Sequence, residues 1–149
     1  MSFQDKMIEI YTDGSGGQDV SAWSYHIPEF EVSRSGSGPG TNNVGELTGI
    51  IEALLYCQEN RFKNVKIFSD SQYAIKSLSV WCHSWIKNNW IGSTGNPVKN
   101  LELIKKGLAA QVGMNVKFQW VKGHAGNEFN ELCDQLCTEA RKKYIAANK

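Results

Sequence analysis

Residues 41–70 read TNNVGELTGIIEALLYCQENRFKNVKIFSD. Thr41, Asn42 and Asn43 offer helix N-caps. Leu47, Ile50, Ile51, Leu54 and Leu55 then recur at helical spacing. Asn60, with the basic Arg61 and Lys63, marks the end of that helix. Residues 65–69 form a short apolar strand that stops at Asp70. Upstream, residues 7–11 alternate loosely, with Ile8 and Ile10 on one face, and read as another strand. Strand, helix, strand in this order requires a crossover, so part of the sheet is parallel.

The rest of the chain extends that unit. Residues 12–17, Thr-Asp-Gly-Ser-Gly-Gly, read as a glycine-rich turn ending the first strand. Residues 20–27 and 30–35 are β-rich stretches around Pro28, giving an antiparallel meander with the first strand. Residues 35–40 read as a loop. Short helices are expected over residues 71–78 and 81–89, a polar loop over 91–97, and a helix over 99–111 with Leu101, Ile104 and Leu108 on one face. Residues 115–121 make the last strand. A final helix spans about 127–145, with Phe129, Leu132, Cys133, Leu136, Cys137, Ala140 and Tyr144 as its apolar stripe. The expected architecture is α/β: a five-stranded mixed sheet, an antiparallel meander plus parallel strands, flanked by helices.

Composition narrows the class. The 149 residues suit one domain, read as residues 1–149 with no separate second domain. Hydrophobic residues make up 41% and charged residues 21%, a globular balance. No apolar run nears the roughly 20 residues of a membrane span, and the N-terminus carries no secretory signal pattern. Cys57, Cys82, Cys133 and Cys137 form no C-x-x-C pair and read as buried thiols in a reducing cytoplasm. The net charge of +1 hides an asymmetry. Residues 1–75 carry 5 Lys/Arg and 10 Asp/Glu, whereas residues 76–149 carry 11 and 5. Such a division lets carboxylates cluster while a basic surface attracts a polyanion, unless folding interleaves the halves.

Four acids stand at suggestive places. Asp13 and Asp70 each follow an apolar strand and would emerge at one sheet edge, the usual ligand edge of open α/β sheets. Two anions held together raise each other's pKa unless a cation relieves them, and oxygen ligands suit Mg²⁺. Glu46 lies about 40° outside the stripe of its helix, and Asp134 about 60° outside that of the last helix. Both are rim positions, able to point along the sheet edge without entering the core. Singly, each acid has a plain alternative: Asp13 as a turn residue, Glu46 as a helix-dipole acid, Asp70 as an N-cap, Asp134 as a solvated helix residue. Trp81 and Trp120 read as core.

The local strings go further. Tyr11-Thr12-Asp13-Gly14-Ser15, Thr41-Asn42-Asn43-Val44-Gly45-Glu46-Leu47, Ser69-Asp70-Ser71-Gln72-Tyr73-Ala74, Trp120-Val121-Lys122-Gly123-His124-Ala125-Gly126 and Asn130-Glu131-Leu132-Cys133-Asp134 occur in that order. Together they resemble the bacterial type I ribonuclease H family, over nearly the whole chain. The resemblance implies that Asp13, Glu46, Asp70 and Asp134 bind two Mg²⁺ ions about 4 Å apart, with Mn²⁺ as a substitute. It implies hydrolysis of the RNA strand of RNA–DNA hybrids, leaving 5′-phosphate and 3′-hydroxyl ends. His124 matches a loop histidine that assists proton transfer or product release, between Gly123 and Gly126.

The resemblance also implies a substrate surface. Gly14, Ser15, Gly16, Asn42, Asn43 and Gln72 would line the shallow groove, where 2′-hydroxyls are sensed. Thr41 and Asn42 would hold a DNA phosphate, with Ser84 where the family usually has Asn. Trp85 would meet a DNA sugar, and Lys87 and Lys99 are chiefly what remains of a basic protrusion that is often crowded with lysine and arginine. The first glycine-rich turn is also shorter than usual. A cytoplasmic monomer is expected, with no membrane partner. Three other readings stay open: another nuclease of the same fold, a catalytically silent hybrid-binding module, or a sugar-kinase-like ATPase, which would need about twice the length.

Overall fold

The structure, a computed structural model, describes residues 6–123 and 127–148. Five strands form one mixed sheet in the order β3-β2-β1-β4-β5. β1 (Met7–Gly17), β2 (Val20–Ile27) and β3 (Val32–Pro39) are antiparallel neighbours. β4 (Asn64–Ser69) joins β1 in parallel, and β5 (Asn115–Trp120) joins β4 in parallel. The crossover from β3 to β4 runs through α1 (Asn42–Glu59), as the stretch 41–70 predicts. The mixed-sheet architecture expected from the sequence is the one observed.

The sheet lies between two helical layers. α1 and α4 (Leu101–Ala110) pack together on one side, and α5 (Glu128–Ala147) covers β1, β2 and β3. The core is aliphatic: Ile8, Ile10, Leu47, Ile50, Ile51, Leu54, Val65, Ile67 and Ile104 are all essentially inaccessible. The starts of α1 and α5 are capped by side chains. Thr41 Oγ1 accepts from Val44 N at 3.3 Å to open α1, and Asn127 Oδ1 accepts from the amides of Phe129 and Asn130 to open α5. The four cysteines are buried and free, as expected. Among the described residues, no helix is long and apolar enough to cross a membrane.

The structure corrects several expectations. β1 does not stop at Tyr11 but runs through the glycine-rich stretch to Gly17, paired rung by rung with β2. The reversal falls on Gln18 and Asp19, both at positive φ (55° and 63°), the backbone of a two-residue hairpin turn that matches strand twist. Likewise β3 carries the expected loop 35–40 as far as Pro39, because Gly36 and Gly38 have ladder partners in Trp23 and Ser21. The two short helices expected over 71–89 are one winding run. α2 (Gln72–Lys76) passes through a π-turn (Ser77–Trp81) directly into α3 (Cys82–Lys87). Trp81 and Trp120 are not core: they are 39% and 44% exposed. Glu46 is not a rim residue but is buried, at 7% exposure.

Candidate active site

The site assembles where the parallel ladder ends. β1 and β4 pair as far as Tyr11 and Phe68. Continuing that register sets Asp13 beside Asp70, just beyond the last rung. β1 itself continues, now bonded only toward β2, so Asp13 sits mid-strand with one flank open. Glu46 enters from α1, which lies unusually close to β1 at this point. A Cβ on Gly14 would stand 2.2 Å from Glu46 N, and one on Gly45 would stand 2.4 Å from Ala22 O. A glycine on each side, Gly14 against the backbone of α1 and Gly45 against the backbone of Ala22 and Ser15, therefore lets the first turn of α1 sink onto the sheet, carrying Glu46 inward.

Ligand atoms of Asp13, Glu46 and Asp70 lie within 4.8 Å of one another. Burial grades across them. Glu46 is deepest, and Asp70 is the most open. Burial, and then the negative charges of Asp70 and Asp13, push the Glu46 carboxyl up to about 9. The same causes, burial first and then Asp70, raise Asp13 to about 7, against a hydrogen bond from Gly14 N to Oδ1 at 2.9 Å. Glu46 Oε2 is buried with no hydrogen-bond partner among the described residues. An orphaned oxygen in a nest of carboxylates is what a hard cation satisfies. The donor set is all oxygen, and it fits such an ion.

Asp134, one face of α5, lines the same cleft of about 230 Å³, together with Thr12, Gly14, Asn42, Gly123, Asn130 and Glu131. It stands outside the trio that shares the 4.8 Å spacing. His124 and Gly126 lie outside the described residues. Thr12, Asn130 and Glu131 are lining residues that sequence reasoning missed. Asn130 and Glu131 stand in the quoted string with Asp134, one helical turn earlier, and that proximity was the available signal.

The groove residues gather at one rim. Gly16 abuts the N-terminus of α1: a Cβ there would stand 2.4 Å from Asn42 N. Ser15 Oγ is buried without a partner among the described residues. Thr41 Oγ1 is committed to its capping bond, while Asn42 and Asn43 are exposed on the first turn of α1. Gln72 is exposed at the start of α2. Ser84 and Trp85 line a separate cleft with Val80, Trp81, Asn88, Ile91 and Ser93. Trp85 and Lys99 line a further one with Tyr73. Lys87 is exposed and lines neither of these clefts.

Comparison with known proteins identifies this arrangement. The RNase H family model matches residues 5–142. The chain belongs to the RNase H family. Its relatives include a ribonuclease H of Zymomonas mobilis, 39% identical over 93% of this chain and 91% of the relative. Another, from Caldanaerobacter subterraneus, is 37% identical over 99% of both chains. A solved type 1 RNase H with the type 2 active-site motif superposes with a TM-score of 0.76 at 27% identity, covering 92% of this chain and 72% of that one. A foamy viral protease–reverse transcriptase in complex with an RNA/DNA hybrid shares the fold, at 18% identity and a TM-score of 0.77 over 96% of this chain and 21% of that one. As an RNase H the chain is a hydrolase of the nuclease class, and its acidic trio stands as the candidate metal centre.

Proposed function

We propose that this RNase H hydrolyses the RNA strand of RNA–DNA hybrids, with Asp13, Glu46, Asp70 and Asp134 holding two Mg²⁺ ions, for which Mn²⁺ can substitute. The observation that carries this reading is the convergence of Asp13, Glu46 and Asp70 within 4.8 Å around a buried Glu46 oxygen that has no hydrogen-bond partner among the described residues. When bound, such ions activate a water for in-line attack on a phosphodiester and stabilise the leaving 3′-oxygen, leaving a 5′-phosphate.

The protein's own groups do the rest. Gly14 N–H donates to Asp13 Oδ1 and so restrains that carboxylate. Burial of Glu46 excludes water from one wall and strengthens every charge interaction there. Gly14, Ser15, Gly16, Asn43 and Gln72 offer backbone and amide groups to 2′-hydroxyls and base edges without demanding a sequence. Thr41 and Asn42 present the N-terminus of α1 to a DNA phosphate, where free amides and the helix dipole favour an anion. Ser84, Trp85, Lys87 and Lys99 contact the DNA strand, and His124 assists proton transfer or product release. The protein acts as a cytoplasmic monomer.

A labelled hybrid, offered beside matched RNA duplex, DNA duplex and single strands, with Mg²⁺ or with chelator, tests the proposal. Cleavage confined to the RNA strand of the hybrid, and only with Mg²⁺, is expected. Cleavage of duplex DNA would favour another nuclease of the same fold. Binding without any cleavage would favour a silent hybrid-binding module.

A further inference from the structure

Trp120 is an anomaly on the sheet. It ends β5 with 44% of its surface exposed, so burial does not explain a large aromatic there. Its indole Nε1 donates to the main-chain carbonyl of Asp70 at 3.1 Å. The pairing of β4 with β5 ends at Ser69 and Trp120, and Val121 N donates to Ser69 O at 2.9 Å. Asp70 is therefore the first residue after β4, beyond the ladder, where the backbone dihedrals are no longer fixed by sheet pairing.

The peptide unit joining Asp70 to Ser71 is instead held at both ends of its dipole. Its carbonyl accepts from Trp120 Nε1, and its N–H donates to the hydroxyl of the buried Ser69 at 3.0 Å. Two bonds on opposite sides of one planar unit fix its rotation, and with it the direction in which Asp70 Cα carries its carboxylate. Gly123, three residues beyond Trp120, closes the arrangement: a Cβ there would lie 3.0 Å from Asp70 Oδ2. We propose that Trp120, with Ser69, is a positioning residue that clamps the Asp70 peptide and so aims the Asp70 carboxylate at the metal centre. This rests on the reading of Asp13, Glu46 and Asp70 as metal ligands.

The test is calorimetric titration of the protein with Mg²⁺ alone, in the wild type, Asp70→Asn, Trp120→Phe and Ser69→Ala. Trp120→Phe keeps an aromatic ring and deletes the N–H. Ser69→Ala deletes the other half of the clamp and guards against a folding defect peculiar to the exposed site. Each is expected to weaken Mg²⁺ binding about fivefold, the equivalent of one hydrogen bond. With Mg²⁺ saturating, hybrid turnover should fall in kcat while KM for the hybrid stays within about twofold. Wild-type Mg²⁺ affinity in both folded variants, or a loss confined to KM, overturns the clamp alone. A wild type that binds Mg²⁺ no better than Asp70→Asn overturns the metal-centre reading, and the clamp with it.

Discussion

Glu46 and Asp13 carry their carboxyls above the ordinary range for the same two reasons: burial first, and then the like charges beside them. A raised carboxyl keeps its proton in the folded chain after the unfolded chain has lost it. Stability from this source is complete below the unfolded values, 4.5 for Glu46 and 3.8 for Asp13, and is gone above about 9 and about 7. In chelator, Tm is therefore expected to fall as pH rises from about 5 to about 9. Glu46→Gln should flatten most of that fall, by roughly 3–6 °C at the alkaline end. Mg²⁺ should act in the opposite direction, because a cation favours the ionised carboxylates, so its stabilisation grows with pH. A melt series with and without Mg²⁺ checks all three, and a wild-type Tm that rises toward pH 9 in chelator would contradict the burial argument. On the proposed function, Asp70→Asn removes charge from the most open of the three proposed ligands and little surface. It should cut cleavage by roughly three orders of magnitude while hybrid binding in Ca²⁺ stays near the wild-type value, read by anisotropy.

At the scale of elements, the decisive contact is α1 on β1. Replacing Gly45 in the first turn of α1 by alanine should help the isolated helix by about 1 kcal/mol. The structure predicts the opposite sign in the protein, because the new Cβ would meet Ala22 O and Ser15 O of the sheet, and backbone cannot step aside. A net loss of about 2 kcal/mol is expected in urea unfolding, and a stabilised Gly45→Ala would show that α1 rides higher on β1 than the geometry indicates. The same contact explains where the sequence could be read and where it could not. Leu47, Ile50, Ile51 and Leu54 announce α1 by periodicity, and the alternation in residues 7–11 announces β1. The burial of Glu46 was invisible to a helical wheel, which places it outside the stripe. Depth there is set by Gly14 and Gly45 across two elements, and a one-helix projection holds no such term. Thr12–Gly17 and Ser35–Pro39 looked like turns by composition, and ladder partners in β2 overrode that preference. Trp81 and Trp120 read as core from the sequence, yet each keeps more than a third of its surface exposed.

Across the whole molecule, the acidic N-terminal half supplies Asp13, Glu46 and Asp70, while most lysines follow residue 75. Among the described residues, the cleft formed by Val80, Trp81, Ser84, Trp85, Asn88, Ile91 and Ser93 has no lysine or arginine in its lining. Its apolar members are well exposed, Val80 at 58% and Ile91 at 39%. Affinity for nucleic acid comes largely from displaced counterions, so a surface with few cations releases few of them. On the proposed function, hybrid binding should be weaker and less salt-dependent than in a lysine-rich relative, measured as log K against log salt in Ca²⁺. The gap should be repairable within this chain. Ile91→Lys adds one cation at an exposed lining position without disturbing the core, and should tighten binding at low salt and steepen the slope by about 0.7–0.9. An unchanged slope in a folded variant would mean that this cleft does not face the phosphates of the hybrid, and would move the DNA-strand contact toward Lys99 and the neighbouring cleft beside Tyr73.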